Sequence, residues 1–473
     1  MDIDFNLKIL SHKWKISISK QWVRFWVITI VMLAIAVVSF WGTPGIHLRL
    51  LILLGGGAVI IVLLRQPNLG FLLVLLTAMF LKYDGPSGLS GAMALVALMF
   101  GLWILDMLVV RRKFEFIRSP VMLPISVFLI VSILAFLFGQ IPWFIFAHQA
   151  PLDAQVAGFA IFIFSVAGML LAAHQIKDVY WLKIIVWCFL GLSMIYMVGR
   201  ALRLDEINSL YHIGYTAQSM SWTWLVAMAL SQALFNDKLS KPIKWILLSL
   251  VALTLYVGFV HNQHWKSGWV PPLVVFTILV GLRYRRLVIF TLPFILVAAV
   301  YITMDLISTE DYSWGTRVDA WKIVLEISRA SPLLGMGFAN YYWYTPLFPI
   351  RGWRVSFNSH SQFVDIIAET GYIGLLAFFW MVLELGRLVW RSTKLMPDGF
   401  PRAYAYGVFA GLCASILASF LGDWLLPFVY NVSLPGFRAS ILAWIFLGGA
   451  IALIQMYLHD PAIPEKFSHE QPT

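Results

Sequence analysis

Charge is what this chain has least of: only 12% of its 473 residues are Asp, Glu, Lys or Arg, against roughly 25% in a soluble globular protein. With 60% hydrophobic residues and a mean hydropathy of +0.83, that deficit excludes a soluble enzyme and a disordered chain and leaves a polytopic membrane protein. Cysteine is nearly absent. The only two, Cys188 and Cys413, fall inside apolar runs, which argues against a disulfide framework and against a cysteine metal site. Internal repeats, an inverted-repeat signature and Pro/Ser-rich linkers are also missing. No small-residue cleavage site ends the first apolar run, so it reads as an uncleaved first span behind a basic tail, 1–22.

Acidic residues are scarcer than basic ones, 23 against 34, for a net charge of +11. In a soluble protein this would point to nucleic acid. In a membrane protein most of the excess reads as topogenic charge in cytoplasmic loops, with a remainder available to an anionic lipid or substrate. The bilayer is therefore an expected partner and nucleic acid is not.

A spanning helix needs about 20 mostly apolar residues. Suitable runs lie at 23–41, 46–64, 69–82, 90–110, 121–139, 154–174, 179–199, 216–235, 243–261, 267–282, 286–304, 361–386, 403–422 and 438–458. The expected architecture is thus an all-α membrane helix bundle of about 12–14 spans in a single membrane domain, 1–473. Placing the N-terminus in the cytoplasm and alternating puts Arg111-Arg112-Lys113, Lys238/Lys241/Lys244, Arg283/Arg285/Arg286 and Arg387/Arg391/Lys394 inside, as the positive-inside rule asks. Both termini are then cytoplasmic, and the polar ends, 1–20 and 459–473, are expected to be loosely ordered.

Residues 305–360 break the pattern. They hold no spanning run, fall on the extracytoplasmic side, and are far longer than other loops of roughly 3–16 residues. The segment is rich in Trp, Tyr, Phe and Gly, which suggests an ordered cap. Its five basic residues, Arg317, Lys322, Arg329, Arg351 and Arg354, run against the general bias and suggest an anionic ligand. Thr316 with Asp319 forms an imperfect capping box. The apolar positions Val318, Trp321, Val324 and Leu325 then follow helical spacing. A short amphipathic helix over about 317–329, stopped by Ser331-Pro332, would place Arg317 in a first turn suited to phosphate. Snorkelling of Arg317 to headgroups is the plainer alternative. Gly335-Met336-Gly337 reads as a tight turn.

Asn358-Ser359-His360-Ser361-Gln362 leads into a run carrying Asp365 and Glu369 on one helix face. His360 lies at the mouth of a span, where a neutral imidazole could take a proton from a hydroxyl and a nearby cation such as Arg317 would keep it neutral. It could equally be an interfacial polar residue. Asp365 and Glu369, acidic residues inside a span, are functional candidates by default, or else structural groups bonded to neighbouring helices. His261 and His264, without a Cys or carboxylate partner, are too few for a metal site. Lys266, at the start of a span on the same side as Arg317 and His360, serves either as a headgroup anchor or in the site.

Together these segments resemble the O-antigen ligase / O-antigen polymerase superfamily of membrane glycosyltransferases. That family shows Ser-Arg-Gly at an outer span start and then a long outside loop opening with an Arg shortly before a Trp. A Pro-x-x-Gly-x-Gly turn follows, and a His precedes a span with Glu-x-Gly. This chain has Arg317-Val318-Asp319-Ala320-Trp321, Pro332-Leu333-Leu334-Gly335-Met336-Gly337, His360 and Glu369-Thr370-Gly371, a match over roughly 250–385. It departs at Lys266-Ser267-Gly268, where the cation comes one residue early and is a point charge rather than a two-pronged fork, and at Ser361, where Asn is common.

The resemblance implies transfer of a glycan from a polyprenyl diphosphate carrier to a hydroxyl of a glycan, lipid or protein acceptor, on the extracytoplasmic face of the cytoplasmic membrane, without metal or other cofactor. A diphosphate leaving group needs cations, and a hydroxyl attacker is helped by a base. The expected catalytic residues are accordingly Arg317 and Lys266 on the diphosphate and His360 as base or acceptor orienter. Arg354, Glu369, Trp321 and Asn358 are expected to bind substrate. A single displacement would invert the anomeric centre. Ligase and polymerase share these motifs, and a protein O-oligosaccharyltransferase is a further possibility within the family. The rival class is a transporter or flippase of lipid-linked oligosaccharides, but its charged groups belong near the membrane midplane, whereas here they cluster at one mouth. A structural or sensory protein would be expected to carry a soluble domain.

Overall fold

Inside a bilayer no water bonds the backbone, so apolar runs of spanning length have to close their hydrogen bonds internally as helices. The computed structural model describes residues 4–9, 12–17, 26, 29, 44–85, 88–286 and 311–458, in two units, Met1–Gln66 and Pro67–Thr473.

The first unit pairs β1 (Asp4–Ile9) antiparallel with β2 (His12–Ser17), in the register Asp4 opposite Ser17, and contains helix α1 (Pro44–Arg65). The tail expected to be loosely ordered thus carries a hairpin. Phe5, Leu7 and Ile9 alternate with polar residues, the period-2 pattern of a strand. The expected run at 23–41 lies almost wholly outside the described residues.

The regular elements of the second unit are, among the described residues, helices: α2 (Pro67–Phe80), α3 (Gly91–Leu105), α4 (Met122–Phe138), α5 (Leu152–Gln175), α6 (Val179–Ala201), the short α7 (Asp205–Asn208) and α8 (Ile213–Thr216), α9 (Ser219–Phe235), α10 (Lys241–Tyr256), α11 (Lys266–Arg283), α12 (Asp311–Ile327), α13 (Asn340–Tyr344), α14 (Gln362–Leu395), α15 (Phe400–Leu421) and α16 (Ser433–Leu458). α3 and α10 each run on into a π-helical turn, Asp106–Arg111 and Val257–His261. Every expected apolar run within the described residues is a helix; the run at 286–304, past Arg286, and the polar end 459–473 lie outside them. Among the described residues seven helices are long and apolar enough to cross a membrane, and Pro67–Phe80 and Met122–Phe138 are shorter apolar ones. α16 is the axis of the bundle: 89% of its apolar window is buried, against 28% for α3 at the periphery. It packs along α5, while α9 lies among α10, α11 and α15, and α14 between α4 and α15.

The helix of the long loop begins earlier than its capping pattern indicates. α12 spans Asp311–Ile327, so Thr316 and Asp319 lie within it and Arg317 sits in its second turn rather than its first. The apolar spacing explains why: Trp314 stands seven residues before Trp321, and their rings meet edge to face at 5.7 Å, extending the same helical face by two turns. The N-terminal phosphate site expected at Arg317 is therefore not where the helix starts. The rest of the loop is a packed cap. Val324, Ile327, Met336, Tyr341 and Tyr344 share one apolar cluster with Val364 and Ala368 of α14 and with Phe428.

The cap is fastened to α14 through a break in the helix. Gly371 has φ +72°, ψ −176° inside α14. Two of the helical bonds spanning it, from the N–H of Tyr372 to the carbonyl of Ala368 and from Ile373 to Glu369, are exchanged for others. The turn 332–337 replaces both halves of both bonds. Tyr372 N–H donates to the Pro332 carbonyl (2.9 Å) and Ile373 N–H to the Leu333 carbonyl (3.3 Å), while the Ala368 and Glu369 carbonyls accept from Met336 N–H (2.9 Å) and Gly337 N–H (3.1 Å). Pro-x-x-Gly-x-Gly and Glu-x-Gly are thus two halves of one joint.

A Cβ at Gly371 would run into the Leu333 carbonyl, and the φ itself disfavours an L side chain. Gly371→Ala is expected to destabilise the protein by at least about 1–3 kcal/mol, read as a lower melting temperature in mild detergent. Gly101→Ala is the control: it lies mid-helix with open space around its new Cβ, and it should stay within about 0.5 kcal/mol of the parent or gain slightly. Equal melting temperatures for the two variants would mean the joint is not where the cap is held.

Candidate functional site

Three segments distant in sequence meet beside the cap. His360 occupies the turn between the cap and α14, Arg317 comes from α12, and Asp423 with Asn431 comes from the loop joining α15 to α16. Arg317 donates through Nη1 to the Leu421 carbonyl at the end of α15 (3.2 Å). That bond fastens the cap helix to the start of the Asp423 loop. Asp423 is buried at 1% exposure. Its Oδ2 accepts from Phe428 N–H (2.6 Å), and its Oδ1 accepts from the Asn431 side-chain amide. The same amide nitrogen lies 3.4 Å from His360 Nδ1.

A carboxylate only accepts, so Asn431 must turn its NH2 rather than its oxygen toward Asp423, and that NH2 is also what faces the imidazole. Nδ1 is then the acceptor, and a neutral ring carries its proton on Nε2. Burial first, and the charge of Arg317 second, push the His360 pKa down to about 4, so the ring is neutral near pH 7. Burial raises Asp423, whose bonds to Phe428 and Asn431 oppose it.

The turn carrying His360 is held from below. His360 has φ +51°, and its neighbours are bonded on both sides. Trp321 Nε1 donates to the Ser359 carbonyl (2.7 Å), Ser359 N–H donates to Tyr341 Oη (3.3 Å), and Ser361 N–H donates to Ser359 Oγ (3.0 Å). Gln362 Oε1 accepts from Leu425 N–H (3.1 Å), Leu426 N–H (3.0 Å) and Ser419 Oγ (3.2 Å), which ties the first residue of α14 to the Asp423 loop.

The other expected site residues are distributed as follows. Lys266 is the half-buried first residue of α11. The adjacent Trp265 ring lies 6.1 Å from that of Trp424, so this helix end borders the Asp423 loop. Trp321 also packs edge to face on Phe420 (5.3 Å). Asn358 is half-buried, and its Oδ1 has no bonding partner among the described residues. Glu369 is 3% exposed and accepts from Ala339 N–H through Oε1 (3.0 Å), one more bond in the joint. Arg354 lies on the exposed lip of the cap, donating to the Pro346 carbonyl (3.4 Å), and the neighbouring Arg351 pairs with Asp319 (2.9 Å).

Asp423 and Asn431 did not stand out in the sequence. The available signal was Gly422-Asp423-Trp424, an acid in a short loop that the alternation of spans puts on the same side as His360. Asp365 stood out, but Ser359, Tyr341 and Gln362 have no signal beyond proximity to His360 or membership of an aromatic run.

Residues 239–379 match the family model described as O-antigen ligase, a segment running from the start of α10 into the first half of α14. It contains Lys266, Arg317, Trp321, Arg354, Asn358, His360 and Glu369 and stops short of Asp423 and Asn431. No curated protein matches the chain.

The site generates one spectroscopic expectation. With 13C-labelled histidine in detergent, the resonance lost in His360→Gln should titrate near pH 4. Arg317→Ala should raise that midpoint yet leave it below the ordinary value of about 6.5, because burial is the larger cause. The sign for stability follows: the unfolded ring takes its proton first, so the contribution of His360 is intact above about pH 6.5 and is lost as pH falls toward 4. A midpoint at the ordinary value would put the ring in water.

Proposed function

We propose that this chain, whose residues 239–379 match the O-antigen ligase family model, is a member of the O-antigen ligase / O-antigen polymerase superfamily and a membrane glycosyltransferase that moves a glycan from a polyprenyl diphosphate carrier to a hydroxyl acceptor in surface polysaccharide or lipopolysaccharide synthesis. The observation that carries this reading is the convergence of Arg317, neutral His360 and the Asp423–Asn431 pair at one mouth of a helix bundle, with the Lys266 end of α11 beside them. On the topology argued from loop charge, this mouth faces the extracytoplasmic side of the cytoplasmic membrane, and both termini face the cytoplasm.

Chemically the task is a displacement. The acceptor oxygen bonds to the anomeric carbon, the bond from that carbon to the diphosphate breaks, and the electron pair leaves on the diphosphate. A single such step inverts the anomeric centre. Arg317 and Lys266 supply the positive charge the leaving group needs, at a place where much water is excluded and the charge acts more strongly. Lys266 contributes a point charge, and Arg317, anchored to the Leu421 carbonyl, contributes a planar guanidinium.

For His360 the arrangement favours one of the two roles its type allows. With Nδ1 accepting from Asn431, the ring reaches substrate as an Nε2–H donor, holding an acceptor hydroxyl or a diphosphate oxygen. A pKa of about 4 points the same way, since a base works best with a pKa near the operating pH. Arg354 on the lip of the cap would meet the glycan, and Asn358, whose Oδ1 has no partner among the described residues, would do so where the glycan reaches it. Trp321 and Glu369 act through the turn and the joint they hold.

The test is a transfer assay in proteoliposomes with a polyprenyl diphosphate oligosaccharide and a glycan acceptor. Arg317→Ala and His360→Ala should each lower the transfer rate by about 100-fold or more, the scale of removing a donor to developing charge. His360→Gln, whose amide still donates, should retain more activity than His360→Ala. Equal loss in both His360 variants would favour the base. If wild type carries the donor across the bilayer without exchanging a bond, the protein is a flippase and the transferase reading fails.

A further inference from the structure

Asp365 is the acidic residue of the site region that the proposed chemistry leaves without a role. It sits in the first turn of α14 at 4% exposure, one helical turn below His360, and faces the turn rather than the substrate. Its Oδ1 accepts from Tyr341 Oη (2.5 Å) and from Ser359 Oγ (2.7 Å). Ser359 is in turn the hub of the His360 turn. Its N–H donates to the same Tyr341 oxygen (3.3 Å), its Oγ receives Ser361 N–H (3.0 Å), and its carbonyl receives the Trp321 indole N–H (2.7 Å). The residues before and after His360 are therefore both tied to one hydroxyl, whose proton lies between the Asp365 carboxylate (2.7 Å) and the Ser361 carbonyl (2.9 Å).

What this clamp holds is an unusual backbone. His360 lies at φ +51°, in the left-handed region that non-glycine residues occupy sparsely, and such a conformation persists only where its surroundings over-determine it. Relaxed to an extended or right-handed φ, the residue would swing its ring away from Asn431 and Arg317. We propose that Asp365, acting through Ser359 and Tyr341, is a positioning residue: it holds His360 in the left-handed conformation that aims the imidazole at Asn431 and at the reacting groups. The clamp itself is a feature of the fold. Its relevance to glycan transfer rests on the function proposed above.

The acceptor pattern makes the assignment specific. Asp365 serves as a double acceptor for two hydroxyls through one oxygen, so Asp365→Asn, which keeps an oxygen there, should preserve the clamp, whereas Asp365→Ala should release it. Tyr341→Phe and Ser359→Ala each remove one strut. Burial raises the Tyr341 phenol, so it stays protonated and continues to donate.

The experiment reads His360 directly, so it does not depend on which reaction the protein performs. The charge acting on the ring is that of Arg317 from α12; the nearest carboxyl groups are Asp423, behind Asn431 on the α15–α16 loop, and Asp365, below the turn. In 13C-histidine spectra of folded protein, the His360 resonance should titrate near pH 4 in the parent and in Asp365→Asn. It should move up by at least one pH unit in Ser359→Ala, Tyr341→Phe and Asp365→Ala, because a released ring leaves both its burial and the field of Arg317. In the transfer assay the same three variants should lose about 10- to 100-fold in kcat, the scale of a misplaced reacting group, with donor KM within about twofold. A role in folding alone would lower the melting temperature and leave the midpoint near 4. That outcome in any two variants that fold overturns the proposal. If wild type shows no transfer but the midpoints move as expected, the clamp stands and the transferase reading falls.

Discussion

The joint at Gly371 is the constraint on which the rest of this structure depends. Breaking a helix inside an apolar bundle exposes N–H groups and carbonyls to surroundings that offer no water, at a cost of several kcal/mol for each group left unbonded. Here the ladder is met by a second piece of chain, the turn 332–337, which bonds the Tyr372 and Ile373 N–H groups and the Ala368 and Glu369 carbonyls. Each such bond contributes a net of only about 0.5–1.5 kcal/mol, but their absence would be far costlier. α14 cannot adopt its path without the turn, nor can the turn dock without the break. Glu369 adds a bond to Ala339 N–H at the start of α13, so the polar group most conspicuous in the apolar run closes the same joint.

From that joint the site follows in steps. The docked turn fixes α12 before it and α13 after it, and their apolar faces share a cluster with Val364 and Ala368 of α14. α12 in this position puts Arg317 against the end of α15. α13 puts Tyr341 beneath the His360 turn, its ring stacked on Phe428 at 4.9 Å. Phe428 belongs to the loop whose N–H groups bond Asp423 and Gln362. The residues that would touch substrate stand on a turn, a loop and a helix end, and their rigidity comes from buried polar bonds among those segments. That is the condition under which a buried polar network specifies one geometry, since every bond omitted costs more than it would in water.

Much of this was legible in the sequence, and the limits have physical reasons. The spans were readable because a bilayer imposes length and apolarity together. Arg317, His360 and Lys266 drew attention because cations and an imidazole at the mouth of an apolar bundle have few structural reasons to be there, and the structure sets Arg317 and His360 beside the Asp423 loop. The start of α12 was misread because a capping pattern at Thr316 outweighed the tryptophan pair that extends the helix toward Asp311. The N-terminal hairpin was missed because charge in a tail was taken for disorder, although its residues alternate. Glu369 and Trp321 are of types that bind substrate, and a sequence does not say that their polar atoms already have backbone partners. Asp423 and Asn431 were invisible for a different reason: their significance lies in proximity to His360, more than sixty residues upstream, and spacing along the chain carries no trace of it.

Arg317 and His360 are coupled through their charges, and this bears on how the site would work. The guanidinium is the second cause of the low proton affinity of His360, after burial. An anionic diphosphate bound to Arg317 would offset that charge and place a negative group near the ring, and both effects favour the protonated imidazole. Occupancy of the cation site and protonation of His360 are therefore linked, each raising the other's affinity by the same factor. In the resting protein the ring is neutral and held by Asn431 as a donor through Nε2. On the proposed function, the ring would gain affinity for a proton with donor bound, giving up its Nδ1 bond from Asn431, and an imidazolium is a stronger donor than an imidazole toward a diphosphate that accumulates charge as it departs. On the function proposed above, a histidine held low by burial and one arginine would respond to an anionic substrate bound at that arginine.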